Sequence, residues 1–423
     1  MNVRPSIALE LISSSASVLF ANGHTTHRMI QDIRSLGSAL GYKVNTHTAW
    51  SQVTIRAEPI ESVAATGGAL QSMVEIVEVM PAGVDMNKVS RTLKLIDQVR
   101  EGVLAPETAV QELKTIAAMT SVSNSRFIIM AGLGAAALAI IFGATDALTL
   151  LLTLLVACLG AGLRRLLAKH ARNVFSQPLA AAFVAGGMGA IIQKYQLCSS
   201  VQYIEICPCM ILVPGAHIIS GSIDVARGRI ELGVARLGYS GLTILMICLG
   251  LIAGLTIGGE SLAPMVSVNK VPLGVDVIAA GVAVAAFGTF FALPWTAIWI
   301  PVLIGMSAHA IRWGVMDAGN GVVMGAAIAC CFTGLVATPL AHKFKLPFAA
   351  LAFASVVSMM PGVFLFKISS ALYTIYEQGE KSGALLLASV AANLMTSTLI
   401  CLAIAFGLIV PKLTIDRYFF KEL

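Results

Sequence analysis

The stretch Cys207-Pro208-Cys209-Met210-Ile211-Leu212-Val213-Pro214-Gly215-Ala216-His217-Ile218-Ile219-Ser220-Gly221-Ser222-Ile223-Asp224 limits the possible folds more than any other. It is apolar enough for a bilayer, yet it carries two prolines, two glycines, a histidine and an aspartate. A helix in lipid must satisfy its own backbone hydrogen bonds. Pro214 removes one such bond, and Gly215 weakens the next turn. A broken helix at membrane depth survives only where protein or a water-filled cavity covers the break. A second apolar run carries the same break at Met360-Pro361-Gly362, 147 residues after Pro214.

The whole chain agrees with a bilayer setting: 57% of its 423 residues are hydrophobic and only 12% are charged. An average soluble domain is about 25% charged. Residues 1–125 hold 10 Lys/Arg against 11 Asp/Glu, and residues 126–423 hold 18 against 11. The basic excess lies in short loops of the apolar part. It reads as a topology signal and not as nucleic-acid affinity. The eight cysteines include no CxxC pair, and most lie in apolar runs as small filler. No basic region followed by an apolar core opens the chain, so no secretory signal is expected.

Residues 1–120 read as a small α+β domain. A helix is expected over Ile7–Phe20, and a second from Thr25 or Thr26 to about Leu40. Strand formers fill Tyr42–Thr48, Gln52–Ala57 and Ser72–Val79. Asp85 caps a helix to about Gln98, and Pro106 opens another to about Ala118. From Phe127 the composition predicts ten spans of about 20 residues each. They cover 127–143, 147–163, 177–193, 203–222 and 238–258, then 275–293, 295–311, 319–341, 348–368 and 384–410. The fold class is therefore a mainly α, polytopic membrane protein behind a small α+β domain. Its parts are residues 1–120, a first five-helix module at 126–260, a second at 270–411 and a tail at 412–423.

Loop charge tests the count. With the N-terminal domain in the cytoplasm, 13 basic residues fall inside: Arg126, Arg164, Arg165, Lys169, Arg172, Arg227, Arg229, Arg236, Lys343, Lys345, Lys412, Arg417 and Lys421. Only 5 fall outside: Lys194, Lys270, Arg312, Lys367 and Lys381. One missed span would flip the later loops and erase this bias. Both termini are then cytoplasmic. Each set of five carries its Pro-Gly break in the fourth span. Five is odd, so the second set is inserted upside down, and such inverted repeats place a site near the midplane. Two unrelated proline kinks are the plainer alternative.

These residues resemble the threonine/serine exporter family. The N-terminal likeness runs through Leu19-Phe20-Ala21-Asn22-Gly23-His24-Thr25-Thr26-His27-Arg28-Met29. The strongest runs through Leu212-Val213-Pro214-Gly215, then Ser220, Asp224, Gly228, Gly233 and Arg236, and Met360-Pro361-Gly362 matches the second kink. The resemblance implies efflux of small hydrophilic metabolites, threonine or serine, across the cytoplasmic (inner) membrane, driven by protons. Split relatives imply succinate as an alternative cargo. Lys367, where an acidic partner does not follow the second break, departs from the first module's pattern.

The candidate substrate contacts are Pro214, Gly215, His217, Ser220, Pro361, Gly362, Lys367, Ser370 and Asn393. Hydroxyls and broken-helix carbonyls suit an ammonium, and helix N-termini suit a carboxylate. His217 and Asp224, two turns apart on one face, are candidates for proton coupling or gating, with Glu205 and Arg236. Each has a structural alternative: a kink-satisfying histidine, a helix-end ion pair, a solvated span end, a snorkelling lysine. Ser222, Ser369, Thr396 and Thr398 can equally bridge helices. His24, His27 and Asp32 suggest a metal, but polar residues at a helix start explain them better, and no metal is expected. No P-loop, G-x-S-x-G or H-E-x-x-H motif occurs, so neither ATP-driven transport nor a cofactor is expected. The expected partners are a small-molecule substrate, protons and lipid; nucleic acid is not expected, and a homo-oligomer is left open. A hydrolase or sensor residing in residues 1–120 is the rival from another class.

Overall fold

The computed structural model describes residues 4–60, 72–120, 122–171, 173–262, 271–344, 346, 348–379 and 383–419. Arg172, Lys270, Lys345, Lys381 and Lys421 of the charge pattern lie outside the described residues. The N-terminal elements follow the expected order. Helices α1 (Pro5–Ala21) and α2 (Thr26–Ala39) precede strands β1 (Tyr42–Ala49), β2 (Gln52–Pro59) and β3 (Met73–Glu78). Helices α3 (Met86–Arg100) and α4 (Pro106–Ala118) close the unit. The strands form one antiparallel sheet in the order β1-β2-β3, with Tyr42 opposite Pro59 and Gln52 opposite Glu78.

Local chemistry accounts for these boundaries. Pro5 and Pro106 open their helices where a missing N–H costs nothing. The Asp85 carboxylate accepts from the Lys88 N–H at 3.1 Å and caps α3. Thr25 holds the cap position of α2, but its hydroxyl makes no capping bond. Gly37 is required by packing: a Cβ there would sit 2.2 Å from Val44 Cγ2. The core is formed by Leu11, Ile12, Leu19, Phe20, Met29, Ile33, Leu36, Ile55, Leu95 and Ile96. Burying each such side chain contributes about 1.5–3 kcal/mol.

The apolar part runs through α5 (Asn124–Ile141), α6 (Ala147–His170), α7 (Ser176–Lys194), α8 (Val201–Met210), α9 (Gly215–Ala226) and α10 (Ile230–Ile257). It continues with α11 (Leu273–Phe290), α12 (Trp295–Asp317), α13 (Val322–Lys343), α14 (Phe348–Val356), α15 (Gly362–Gln378) and α16 (Ala384–Phe419). A 3-10 turn, Val357–Met359, separates α14 from the second break. Among the described residues, seven helices are long and apolar enough to cross a membrane, and the bent pairs α8/α9 and α14/α15 raise the number to nine. The third expected span is a 19-residue helix, α7. Its polar ends and its glycines leave it less apolar than those nine, so length and apolarity do not establish ten.

The packing partners repeat between the halves. In the first, α5 packs on α6, α6 on α7, α7 on α10, and α8 on α5, α6 and α7. In the second, α11 packs on α12, α12 on α13, α13 on α16, and α14 on α11, α12 and α13. The two third-to-fifth contacts use the same device. A Cβ on Gly186 would lie 2.2 Å from the Leu251 carbonyl oxygen, and one on Gly254 2.4 Å from that of Phe183. In the other half, a Cβ on Gly407 would lie 2.7 Å from Cys330 Cβ. Small residues bring backbones together where lipid offers no hydrophobic drive.

Candidate functional site

The Pro214-Gly215 break bends α8 against α9 by 50°, and the Pro361-Gly362 break bends its pair by 48°. The two breaks face each other. A Cβ on Gly215 would meet Phe353 Cζ at 2.7 Å and Met360 Cε at 2.8 Å. A Cβ on Gly362 would meet Met210 Cε at 3.0 Å. Each glycine therefore leaves room for the methionine flanking the opposite break, and a larger residue would have to displace that side chain and, at Gly215, the Phe353 ring.

A cavity lies beside the first break. Ala216, His217, Ser220 and Ile223 of α9 line it, with Arg236 of α10, Phe353 of α14 and Phe291. Gly23, Val84 and Met86 of the N-terminal domain close it. Its volume is about 20 Å³, room for roughly one water. This conformation is closed.

A buried ion pair lies beside the cavity. Asp224 and Arg236 are 2% and 1% exposed. Arg236 Nε lies 3.3 Å from Asp224 Oδ2, and Arg229 Nη1 lies 3.8 Å from Asp224 Oδ1. The Thr26 hydroxyl donates to Asp224 Oδ2 at 3.1 Å and lies 3.4 Å from Arg236 Nη2. A buried ion pair is tolerated only when further hydrogen bonds satisfy it, and Thr26 supplies one from the N-terminal domain. His217 bonds to the Ala82 backbone and meets the Tyr239 ring edge-on, centroids 5.1 Å apart. Trp50, at the tip of the β1–β2 hairpin, packs on the same tyrosine at 5.2 Å. The Met86 N–H donates to the Phe291 carbonyl at 2.9 Å.

A second, polar cleft of about 340 Å³ lies between the domain and the ends of α13 and α16. Arg28 Nη2 lies 2.9 Å from His342 Nε2, which lies 3.1 Å from Asp416 Oδ1. Lys412 donates to the same carboxylate. Phe348 lines both this cleft and the closed cavity, as a partition between them. His24 Nε2 pairs with Asp32 Oδ2 at 3.0 Å. His27 is not in that pair. Burial, then Arg227, Arg229, Lys412 and Arg28, push its pKa down to about 4.

The sequence candidates thus divide. Pro214, Gly215, His217, Ser220, Asp224 and Arg236 gather on one side of the breaks, and Pro361 and Gly362 stand opposite. Four others lie elsewhere. Lys367 is exposed on α15, its Nζ 5.8 Å from the Phe364 ring. Ser370 lines a separate small cavity between α10 and α15. Asn393 donates to its own helix at the Ser389 carbonyl, 2.7 Å away. Glu205 is fully buried on α8, in the space that Gly189 leaves. Helical phase explains Glu205, Lys367 and Ser370, because a polar residue near a break in sequence need not face it; Asn393 lies on the following helix, 31 residues past Gly362.

Sequence reasoning passed over Thr26, whose partner is 198 residues away. It also passed over Asp276, His309 and Ser358, a buried polar chain beside the second break. A histidine and an aspartate inside apolar runs were the available signal.

Residues 10–258 match a family model for a threonine/serine exporter. Residues 276–414 match a second, described as Threonine/Serine exporter, ThrE. An uncharacterized protein of Haemophilus influenzae is 23% identical over 142 residues, 34% of this chain and 47% of that protein. The chain thus spans about half the length of this curated relative. No solved structure matches. The first match alone covers more than half of the chain, the second covers the other apolar half, and the chain belongs to the threonine/serine exporter family.

Proposed function

We propose that this protein exports threonine, serine or similar small amino acids by alternating access, as a proton-coupled secondary transporter. It acts in the cytoplasmic membrane with both termini on the cytoplasmic side. The two halves form an inverted pair and rock about a midplane site at the facing breaks. The reciprocal packing of Gly215 on Met360 and Gly362 on Met210 carries this reading, because it brings two unwound backbones to one place. The repeated helix pairings support it.

The N-terminal domain serves as the cytoplasmic plug. Gly23, Val84 and Met86 seal the cavity, and Thr26, bonded to the Asp224–Arg236 pair, latches the plug to α9 and α10. The polar cleft behind Phe348 is the cytoplasmic entry. Opening the latch frees a carboxylate for an ammonium and a guanidinium for a carboxylate, the two ends of an amino acid. A dicarboxylate offers no partner for Asp224, which favours the zwitterion. Proteoliposomes holding the full chain decide the matter. Saturable counterflow of labelled threonine or serine is expected; counterflow of succinate alone, or none with any of the three, would reject the amino-acid reading.

A further inference from the structure

His309, on α12, is completely buried. Its Nδ1 lies 3.1 Å from Asp276 Oδ2, in the first turn of α11. Its Nε2 lies 2.7 Å from Ser358 Oγ, in the 3-10 turn that leads into Pro361. Asp276 and Ser358 are each 4% exposed. The chain of contacts thus runs from the end of one span, through an imidazole, to the backbone break of another.

Such a cluster is costly in an apolar setting and calls for a function. Of the other hydroxyls in these helices, Ser355 donates to the Pro301 carbonyl of α12 as well as to its own helix, and three more stay within their own helices. Ser307, Thr333 and Thr338 each bond back to a carbonyl four residues earlier in their own helix. His309 instead joins three separate elements. Helices α11, α13 and α14 pack around α12. The ionisable groups they and α12 bring to the site are Asp276 from α11, Arg312 one turn on in α12, and Cys330 from α13 beside Arg312. The α14 segment Phe348–Val356 contains no ionisable residue.

Resting on the exporter reading above, we infer that His309, paired with Asp276, is the proton-carrying site, and that it acts on the second break through Ser358. In the neutral form, Nδ1–H donates to Asp276 and Nε2 accepts the Ser358 O–H. When a proton binds at Nε2, the nitrogen becomes a donor and Ser358 Oγ must accept. The serine O–H is then released and has to find another acceptor, since a buried donor left unmade is costly. The nearest backbone to answer is the turn at Val357–Met360, which sets the angle of the break. One proton therefore reverses one hydrogen bond and biases the helix pair. The placement fits an exporter: with both termini cytoplasmic, Asp276 and His309 lie on the outer half of their spans. His217, by comparison, bonds a backbone group and faces Tyr239 and Arg236. That setting suits a latch residue, while His309 has the carboxylate partner a proton carrier needs.

The test uses full-length protein in proteoliposomes: wild type, His309→Gln and Ser358→Ala. Threonine counterflow is measured without a pH gradient, and threonine accumulation with one. His309→Gln is expected to keep counterflow within about twofold and to lose gradient-driven accumulation by tenfold or more. Retained accumulation, or equal loss of both activities, overturns the inference. If His309→Gln does not assemble, Ser358→Ala carries the same expectation, since it removes only a hydroxyl. A substrate-free measurement separates this inference from the exporter reading. Hydrogen exchange over residues 348–378 in detergent is expected to change between pH 5 and pH 8 in wild type and not in His309→Gln. Equal pH responses in the two proteins overturn it whatever the cargo.

Discussion

Replacing Asp224 by Asn isolates the latch. The substitution keeps the shape and removes the charge, so Arg236, 1% exposed, stays in place without its carboxylate at 3.3 Å. Leaving one member of a buried pair uncompensated costs about 3–5 kcal/mol. At about 1.4 kcal/mol per decade, that is roughly two to three and a half orders of magnitude in the closed-to-open ratio. Opening hydrates the arginine, so the closed state bears the cost. Thr26→Val removes one hydrogen bond to a charged group, about 1.5–3 kcal/mol, and should act in the same direction by less. Ser220 lines the cavity and provides the probe. In a chain whose eight native cysteines are replaced, Ser220→Cys is labelled with a membrane-impermeant maleimide in inside-out vesicles. Asp224→Asn should raise the labelling rate by at least tenfold, with Thr26→Val between it and the parent. An unchanged rate in a variant that expresses and melts normally would refute the latch. A fall in the rate would show that the pair holds the cavity open.

Three further outcomes follow from the geometry. His27 has a pKa near 4 in the folded chain against an ordinary value of 6.5, so the unfolded chain binds more protons between those values. Stability supplied by neutral His27 is complete above pH 6.5 and declines as pH falls towards 4; melting curves should show a shallower acid-side decline in His27→Gln, and identical slopes would exclude His27. Gly254→Ala places a Cβ 2.4 Å from the Phe183 carbonyl and should destabilise by about 1–3 kcal/mol. Gly241→Ala meets nothing within 4 Å and should stabilise by about 0.5–1 kcal/mol, so melting temperatures that move together would contradict the close packing of α7 on α10. Phe348→Ala removes the partition between the polar cleft and the cavity; labelling of Ser220→Cys should accelerate there as well, and an unaltered rate would place the entry elsewhere.

The elements were legible because their causes are local. The order of helices and strands in residues 1–120, the cap at Asp85, the helix start at Pro106, and both Pro-Gly breaks follow from a few neighbouring residues. The α7 helix marks the limit of this reading. Its position was plain, but its apolarity alone does not make it a span, and two of its glycines are explained only by what lies against them, Gly186 by α10 and Gly189 by Glu205 of α8.

The site was only half legible. Pro214, Gly215, His217, Ser220, Asp224 and Arg236 are close in sequence and share neighbouring helix faces, so they stayed together in the fold. Lys367 and Ser370 were chosen for polarity near a break and Asn393 for polarity inside an apolar helix, and the faces these helices present turned all three to other surfaces.

By itself, the sequence determined that this chain enters a membrane and where two of its helices break, because backbone hydrogen bonding in an apolar medium is decided residue by residue; the helix ends were less legible, since Ile230–Ile257 starts eight residues before the expected 238 and Ala384–Phe419 runs nine residues past the expected 410. The tertiary structure alone decided that the breaks face each other, that Thr26 completes the Asp224–Arg236 pair, and that His309 joins Asp276 to Ser358. Each of these depends on which faces helices present after packing. That packing is set by glycines such as Gly186, Gly254 and Gly407, whose partners lie far along the chain.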